Sequence, residues 1–181
     1  MIEASTIPRY SGGVTAPRWL DEEEQRTWRA FIDATRLVFD ELDRELQACA
    51  GMPHAYYVIL VALSEAPGRA LRMSDLACAT GSSRSRLSHA VARLEAAGWV
   101  ERRPAEDDRR GSTAVLTEAG MATLVGAAPG HVEGVRRHLF DRLTPAQVSE
   151  LMDISRAILG GRGAGESSEV VGVRDIESRG E

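Results

Sequence analysis

The chain has 181 residues, of which 43% are apolar and 27% charged, a mixture that suits one soluble globular domain with ends to spare. No apolar run approaches the roughly 20 residues that a membrane span needs, and Met1-Ile2-Glu3-Ala4-Ser5 lacks the basic start of a secretory signal. Cys49 and Cys78 are too few for a disulfide scaffold or a four-thiolate zinc site, so a reducing, cytoplasmic setting is expected.

The net charge of −5 argues at first against a nucleic-acid partner, but the charge is segregated. Asp21 to Glu45 holds nine acidic residues and four arginines, a local balance of −5, while Arg69 to Arg103 holds seven arginines against Asp75, Glu95 and Glu101, a balance of +4. Such a chain can present one positive face, which is what phosphate binds. Every basic residue apart from histidine is arginine, since the chain contains no lysine. Arginine suits planar, two-pronged contacts to phosphate and guanine, although the absence of lysine also fits GC-rich coding DNA.

Residues 1–18 carry Ser11-Gly12-Gly13 and two prolines and read as a flexible N-terminal arm. A long helix follows, over 19–50, because Trp28, Phe31, Ile32, Thr35, Val38, Phe39, Leu42 and Leu46 recur at three- and four-residue steps. Asp21 to Glu24 place negative charge at its start, and Gly51 and Pro53 end it. The next helix, Pro53 to Ser64, is apolar on nearly every side and should be central. After Pro67-Gly68, residues 69–73 read as a short strand. Ser74 is placed to cap a brief helix to Thr80, closed by Gly81. Ser82 or Ser83 then caps a helix over 83–97, stopped by Gly98. Two helices joined by so short a glycine turn are a helix-turn-helix candidate.

Beyond Gly98 the period changes. Trp99 to Arg103 and Thr113 to Leu116 read as strands around the polar loop 104–111, giving a β-hairpin wing with a charged tip. Thr117 should cap a helix to about Val125, which Pro129 kinks or interrupts before it resumes through Leu139. Thr144-Pro-Ala-Gln147 is a capping box that opens a last helix with Val148, Leu151, Met152, Ser155, Ile158 and Leu159 on its apolar face. Residues 161–181 read as a disordered tail. The fold class is therefore mainly α with a small β-hairpin wing, a winged helix-turn-helix (about 53–117) inside a domain over 19–160, with extra helices at both ends.

The helix over 83–97 carries the most specific signal. At 100° per residue, Leu87, Ala90, Val91 and Leu94 form one stripe for burial. The outer face holds Ser82, Ser83, Arg84, Ser85, Arg86, Ser88, His89 and Arg93, with Glu95 as its one acid. Short side chains let a backbone approach base edges, while arginines clamp phosphate or read guanine. At the wing tip, Arg109 and Arg110 can enter a narrow, electronegative minor groove, with Asp108 orienting them. Charged turns and solvated helix faces are common in themselves; their combination points to double-stranded DNA.

The run Ser83-Arg-Ser-Arg-Leu-Ser-His-Ala-Val-Ala-Arg-Leu-Glu-Ala-Ala-Gly-Trp-Val100, then Asp108-Arg-Arg110 and Leu116-Thr117-Glu-Ala-Gly120, resembles the MarR family (multiple antibiotic resistance regulators). The resemblance spans Trp19 to Leu159, and the lack of lysine resembles its actinobacterial branch. It implies a homodimer held by helices at 19–50 and 118–160, and a transcriptional regulator, expected to be a repressor, on a pseudo-palindromic operator. In that family the 83–97 helix would enter the major groove and the wing arginines the minor groove. Release by a small anionic or phenolic ligand is implied too, and Trp28, Ile32, His54 and Tyr57 are the positions expected to line its cleft. An aromatic on an apolar face is nonetheless ordinary core.

Other chemistry finds little support. Neither cysteine has a basic neighbour in sequence to favour thiolate, so buried, inert thiols are expected. His131 and His138, seven residues apart, would stand about 10 Å apart on a continuous helix, too far to share one metal ion. No cofactor is implied. No phosphate loop, nucleophile elbow or His-Glu-x-x-His run argues for an enzyme. The remaining alternative is a winged-helix module that docks protein or dimerises without specific DNA binding; it would not need the arginine-serine face beside an arginine-tipped wing.

Overall fold

A computed structural model describes residues 17–105 and 108–160, with 105 and 108–110 described by their backbone alone. Of the arm expected at 1–18 only residues 17 and 18 are included, and the tail expected at 161–181 lies outside the described residues. The chain divides into two compact units, Met1–Thr35 and Arg36–Glu181, and the boundary falls within the first helix, α1 (Glu22–Ala50).

In the N-terminal unit, α1 begins with a reciprocal capping box. The Asp21 carboxylate accepts from the Glu24 amide at 2.8 Å, and the Glu24 carboxylate accepts from the Asp21 amide at 2.9 Å. Three acids occupy the first turn, where the helix dipole favours them. Trp28 and Phe31 are exposed with their rings 6.3 Å apart.

The C-terminal unit is built around α2 (His54–Glu65), in which Tyr57, Ile59, Leu60, Leu63 and Ser64 are buried. It packs against β1 (Ala70–Arg72), α3 (Met73–Ala79), α4 (Arg84–Ala96), β3 (Asp108–Leu116) and α5 (Glu118–His138). Leu46, Met52, Leu76, Leu87, Val91, Leu94, Leu116 and Leu124 complete that core. Strand β2 (Val100–Ala105) and β3 form the wing, and the three strands lie in the order β1-β3-β2, all antiparallel. A last helix, α6 (Pro145–Gly160), starts at the predicted capping box, with the Gln147 amide donating to Thr144 Oγ1 at 3.3 Å.

Four local expectations need correction. Ser74 does not cap α3: the helix starts directly off β1 with Arg72 as its cap residue, so Ser74 falls in the first turn and its hydroxyl donates to Asp75 Oδ1 at 3.0 Å. The wing loop is shorter than 104–111. The β2–β3 ladder holds register from Val100↔Leu116 to Pro104↔Ser112 and then shifts to Ala105↔Asp108, so that 109–111 bulge where proline cannot donate to the ladder. Of the kink or interruption expected at Pro129, the interruption does not occur: α5 runs unbroken from Glu118 to His138. Val125, whose carbonyl loses its partner there, and Pro129 are both exposed, so water can satisfy the freed group. Cys49 and Cys78 are exposed rather than buried. In α3 the inner positions go to Leu76 and Ala77, which turns Cys78 outward.

The base of the wing is held by one close approach. Thr117 caps α5 by accepting from the Gly120 amide at 3.0 Å while donating to the Gly98 carbonyl at 2.7 Å. Gly120 is buried there, and a Cβ on it would overlap the Trp99 carbonyl oxygen and lie 2.8 Å from Leu116 Cδ1. In the same helix nothing lies within 4 Å of a Cβ built on Gly126. The two glycines should therefore respond to alanine with opposite signs. Gly120→Ala should destabilise by about 1–3 kcal/mol or more through overpacking, and Gly126→Ala should stabilise by about 0.5–1 kcal/mol through helix propensity. Thermal melting of the two variants checks the pair.

Candidate nucleic-acid interface

The turn between α3 and α4 is made by Gly81, whose φ of 60° is a left-handed conformation that glycine adopts without a Cβ clash. It lets the Gly81 amide reach the Cys78 carbonyl at 3.1 Å and the Ser82 amide reach the Ala77 carbonyl at 2.9 Å, closing α3 within one turn. Ser83 is the residue that caps α4, accepting from the Arg86 amide at 3.3 Å. Leu87, Val91 and Leu94 are buried against the core and Ala90 half-buried, which fixes the rotation of α4.

That rotation exposes Ser83, Arg84, Ser85, Arg86, Ser88, His89 and Arg93 and leaves Ser82 half-buried. Ser82 and Ser83 direct their hydroxyls to local backbone, Ser82 to the Thr80 carbonyl at 3.5 Å. The other six stand free on the outer face. Asp108, Arg109 and Arg110 fall on β3 at the shifted register, and their side chains lie outside the described residues.

The electrostatics of this face follow from its pairings. Each acid of the basic block is engaged locally: Asp75 by the Ser74 hydroxyl, Glu95 by Arg102 at 3.0 Å, and Glu101 by Arg103 at 2.9 Å. Arg84, Arg86 and Arg93 make no ion pair among the described residues. Among the described residues the outward cations of α4 are thus uncompensated, and uncompensated arginine on an exposed helix face attracts phosphate. Between α4 and the wing base lies a hollow of about 400 Å³ whose lining includes Arg72, Ser74, Arg84, Ser88, Arg102 and Ser112. Arg72, Ser74, Arg102 and Ser112 did not emerge as site candidates from the sequence. Their signal was the +4 charge block itself, but only pairing of β1 and β2 with β3 gathers residues forty positions apart.

The four positions expected to line a ligand cleft are shared between the two units. Trp28, exposed, and Ile32, half-buried, belong to the N-terminal unit. His54 and Tyr57 come together in the C-terminal unit, with ring centroids 6.5 Å apart, and His131 joins them at 5.4 Å from His54 and 4.3 Å from Tyr57. Phe39 packs on His54 at 5.6 Å. Tyr57 Oη and His131 Nδ1 are buried with no hydrogen-bond partner among the described residues. Burial pushes the Tyr57 phenol up to about 12. It also pushes His131 down to about 4, with neighbouring His54 adding repulsion, and it lowers His54. His138 turns to a different partner, Glu45, at 2.8 Å; Glu45 also receives Arg137 at 2.6 Å, and its carboxyl is held below the usual range chiefly by the hydrogen bond from His138.

A family model described as the MarR family matches residues 50–111. The MarR-family transcriptional regulator Sco3205 of Streptomyces coelicolor, solved in complex with DNA, shares 52% identity over 84% of this chain and 96% of its own, with a TM-score of 0.77. The chain belongs to the MarR family. AbsC, a second MarR-family transcriptional regulator of Streptomyces coelicolor, is 46% identical over 80% of this chain and 97% of its own, with a TM-score of 0.74. The transcriptional repressor MprA of Escherichia coli is 30% identical over 109 residues, and the match spans 61% of MprA's length. The Streptomyces relatives agree with the actinobacterial branch suggested by the missing lysines, and all three relatives are transcription regulators.

The half-buried histidines give this MarR-family chain a defined acid response. An unfolded histidine takes up its proton near 6.5, whereas His131 in the fold resists protonation until about 4. Its contribution to stability is therefore complete above pH 6.5 and is lost as the pH falls toward 4. The melting midpoint should drop over that window, and His131→Phe, which keeps a ring on Tyr57 but cannot titrate, should flatten the drop. An unchanged slope in the variant would place the acid response elsewhere.

Proposed function

We propose that the chain is a homodimeric DNA-binding transcriptional repressor acting in the cytoplasm on a pseudo-palindromic operator. The observation that carries this reading is the outer face of α4, where Arg84, Arg86 and Arg93 stand exposed and unpaired among short hydroxyls beside an arginine-bearing wing. In the proposal, Arg84, Ser85, Arg86, Ser88, His89 and Arg93 meet the major groove, Ser82 and Ser83 shape the helix start, and Arg109 and Arg110 reach the minor groove with Asp108 orienting them. The DNA in the Sco3205 complex supports the same partner class here.

Two observations support a second copy as the other partner. Helix α6 has no buried residue, and Met152, Ile154, Ile158 and Leu159 are all more than half exposed. In the N-terminal unit Trp19 and Trp28 are likewise more than half exposed. Apolar helices of this kind become stable by packing on another copy. A two-fold dimer would then present its α4 helices about 34 Å apart, one turn of DNA.

The effector part of the proposal rests on His54, Tyr57 and His131. All three are neutral at pH 7, so they offer hydrogen bonds rather than charge. This favours a phenolic or neutral hydroxylated ligand over one held by an ion pair. Such a ligand would release DNA by binding better to a conformation in which the α4 helices are spaced differently.

The test is selection of sites by the full chain from genomic fragments and a randomised duplex pool, followed by footprinting across a salt series. A two-fold protected site with Kd of roughly 10⁻⁸ to 10⁻¹¹ M is expected. Replacing Arg109 and Arg110 by alanine should weaken binding and reduce the slope of log K against log salt by about 2. Weak, sequence-blind binding by the wild-type chain would favour the protein-docking alternative instead.

A further inference from the structure

Glu95 is the one carboxylate on α4, and on a helix that approaches phosphate it ought to be a liability. Its contacts show another use. Glu95 Oε1 accepts from the backbone amide of Arg102 at 3.1 Å, and Glu95 Oε2 lies 3.0 Å from Arg102 Nε. Arg102 Nη2 then donates to the Ser88 carbonyl at 2.8 Å. One strand residue is thereby tied to α4 at two levels seven residues apart, about 10 Å along the helix. Both side chains are substantially covered, with 28% of Arg102 and 34% of Glu95 exposed.

The place of this tie in the wing matters as much as its chemistry. Arg102 stands opposite Ala114 in the β2–β3 ladder, just before the register shift at Pro104/Ala105 beyond which the ribbon carries 108–110. A two-stranded ribbon twists easily, so its direction is set where it is anchored. Three residues, 103–105, carry β2 beyond Arg102, roughly 10 Å of strand. A rotation of about 10° at the base would displace the end of that strand by roughly 2 Å, enough to break a hydrogen bond.

Resting on the DNA-binding reading above, we propose that Glu95 and Arg102 are positioning residues that lock the wing to α4, so that helix and wing tip meet neighbouring grooves as one rigid reader. Arg102 acts through its fork, with Nη2 hydrogen-bonded to the Ser88 carbonyl and Nε buried in the ion pair with Glu95 Oε2 without making a hydrogen bond, rather than as a phosphate contact. The identity of the residue matters for the same reason: lysine carries the charge but cannot span Glu95 and Ser88 together.

Simple electrostatics and the lock predict opposite signs. Removing the Glu95 charge from a DNA-facing helix would tighten binding if only repulsion were at work. The lock predicts that Glu95→Gln weakens binding, on the order of tenfold, with the salt slope reduced by up to about 2, toward that of the wing-arginine variant, because the misplaced tip loses its contacts. Arg102→Lys should weaken binding as much as Arg102→Met does. The experiment uses the duplex that the wild-type chain selects from a randomised pool. It measures affinity and salt slope for Glu95→Gln, for both Arg102 variants, and for Arg109→Ala/Arg110→Ala with and without Glu95→Gln.

In the Glu95→Gln background the wing arginines should already be misplaced, so their removal should cost less than about threefold, a strongly non-additive cycle. If Glu95→Gln fails to fold, Arg102→Lys takes its place in the cycle. Equal or tighter binding by Glu95→Gln, full affinity in Arg102→Lys, an unchanged salt slope in Glu95→Gln, or an additive cycle would each overturn the lock while leaving DNA binding intact. Selection of no sequence by the wild-type chain would overturn both.

Discussion

The C-terminal unit depends on the burial of α2. A twelve-residue helix that is apolar on nearly every side cannot remain at a surface, and every neighbouring element is arranged to cover it. Leu60 and Leu63 are wholly buried, and so are their neighbours Leu76, Val91, Leu94 and Leu124, contributed by α3, α4 and α5. The DNA-facing surface is a consequence of this packing. Because Leu87, Val91 and Leu94 must point at α2, the hydroxyls and arginines between them must point away. The core and the recognition face are two sides of one helical periodicity.

Charge follows the same logic at longer range. A chain with net charge −5 can approach DNA because its acids and arginines are separated along the sequence. Within the basic block each acid is engaged by a neighbour, whereas Arg84, Arg86 and Arg93 make no ion pair among the described residues. Elsewhere the acids hold helices together, as Glu45 does by gathering Arg137 and His138 beside Gly134, where a Cβ would be 3.0 Å from Leu42 Cδ2. The two uses of carboxylates, one quieting a binding face and one joining α1 to α5, rest on the same charge-assisted hydrogen bond.

Several features were legible in the residues before any coordinates. The negative charge at the start of α1, the capping box at Thr144/Gln147, the Thr117 cap, the glycine turn and the stripe on α4 are local patterns, set within four residues by backbone hydrogen-bonding needs and helical periodicity. The misreadings were also local, at Ser74, Pro129, the wing loop and the two cysteines. In each case an outcome set by neighbours in space was inferred from neighbours in sequence. Ser74 lost its capping role because β1 pairs with β3 and runs straight into α3. Pro129 was tolerated because that side of α5 faces solvent.

The sequence by itself therefore determined the order of elements, the buried stripe of α4 and the positive character of the segment from Arg69 to Arg103, since these depend on residue type and short-range spacing. Tertiary structure alone decided which residues meet. It set His131 on Tyr57, seventy-four positions away, rather than with His138. It also joined Glu95 to Arg102 and Ser88 across the helix–wing junction. Such pairings come from the closure of a shared core, whose geometry is set by all the packed side chains at once and is encoded in no single stretch of chain.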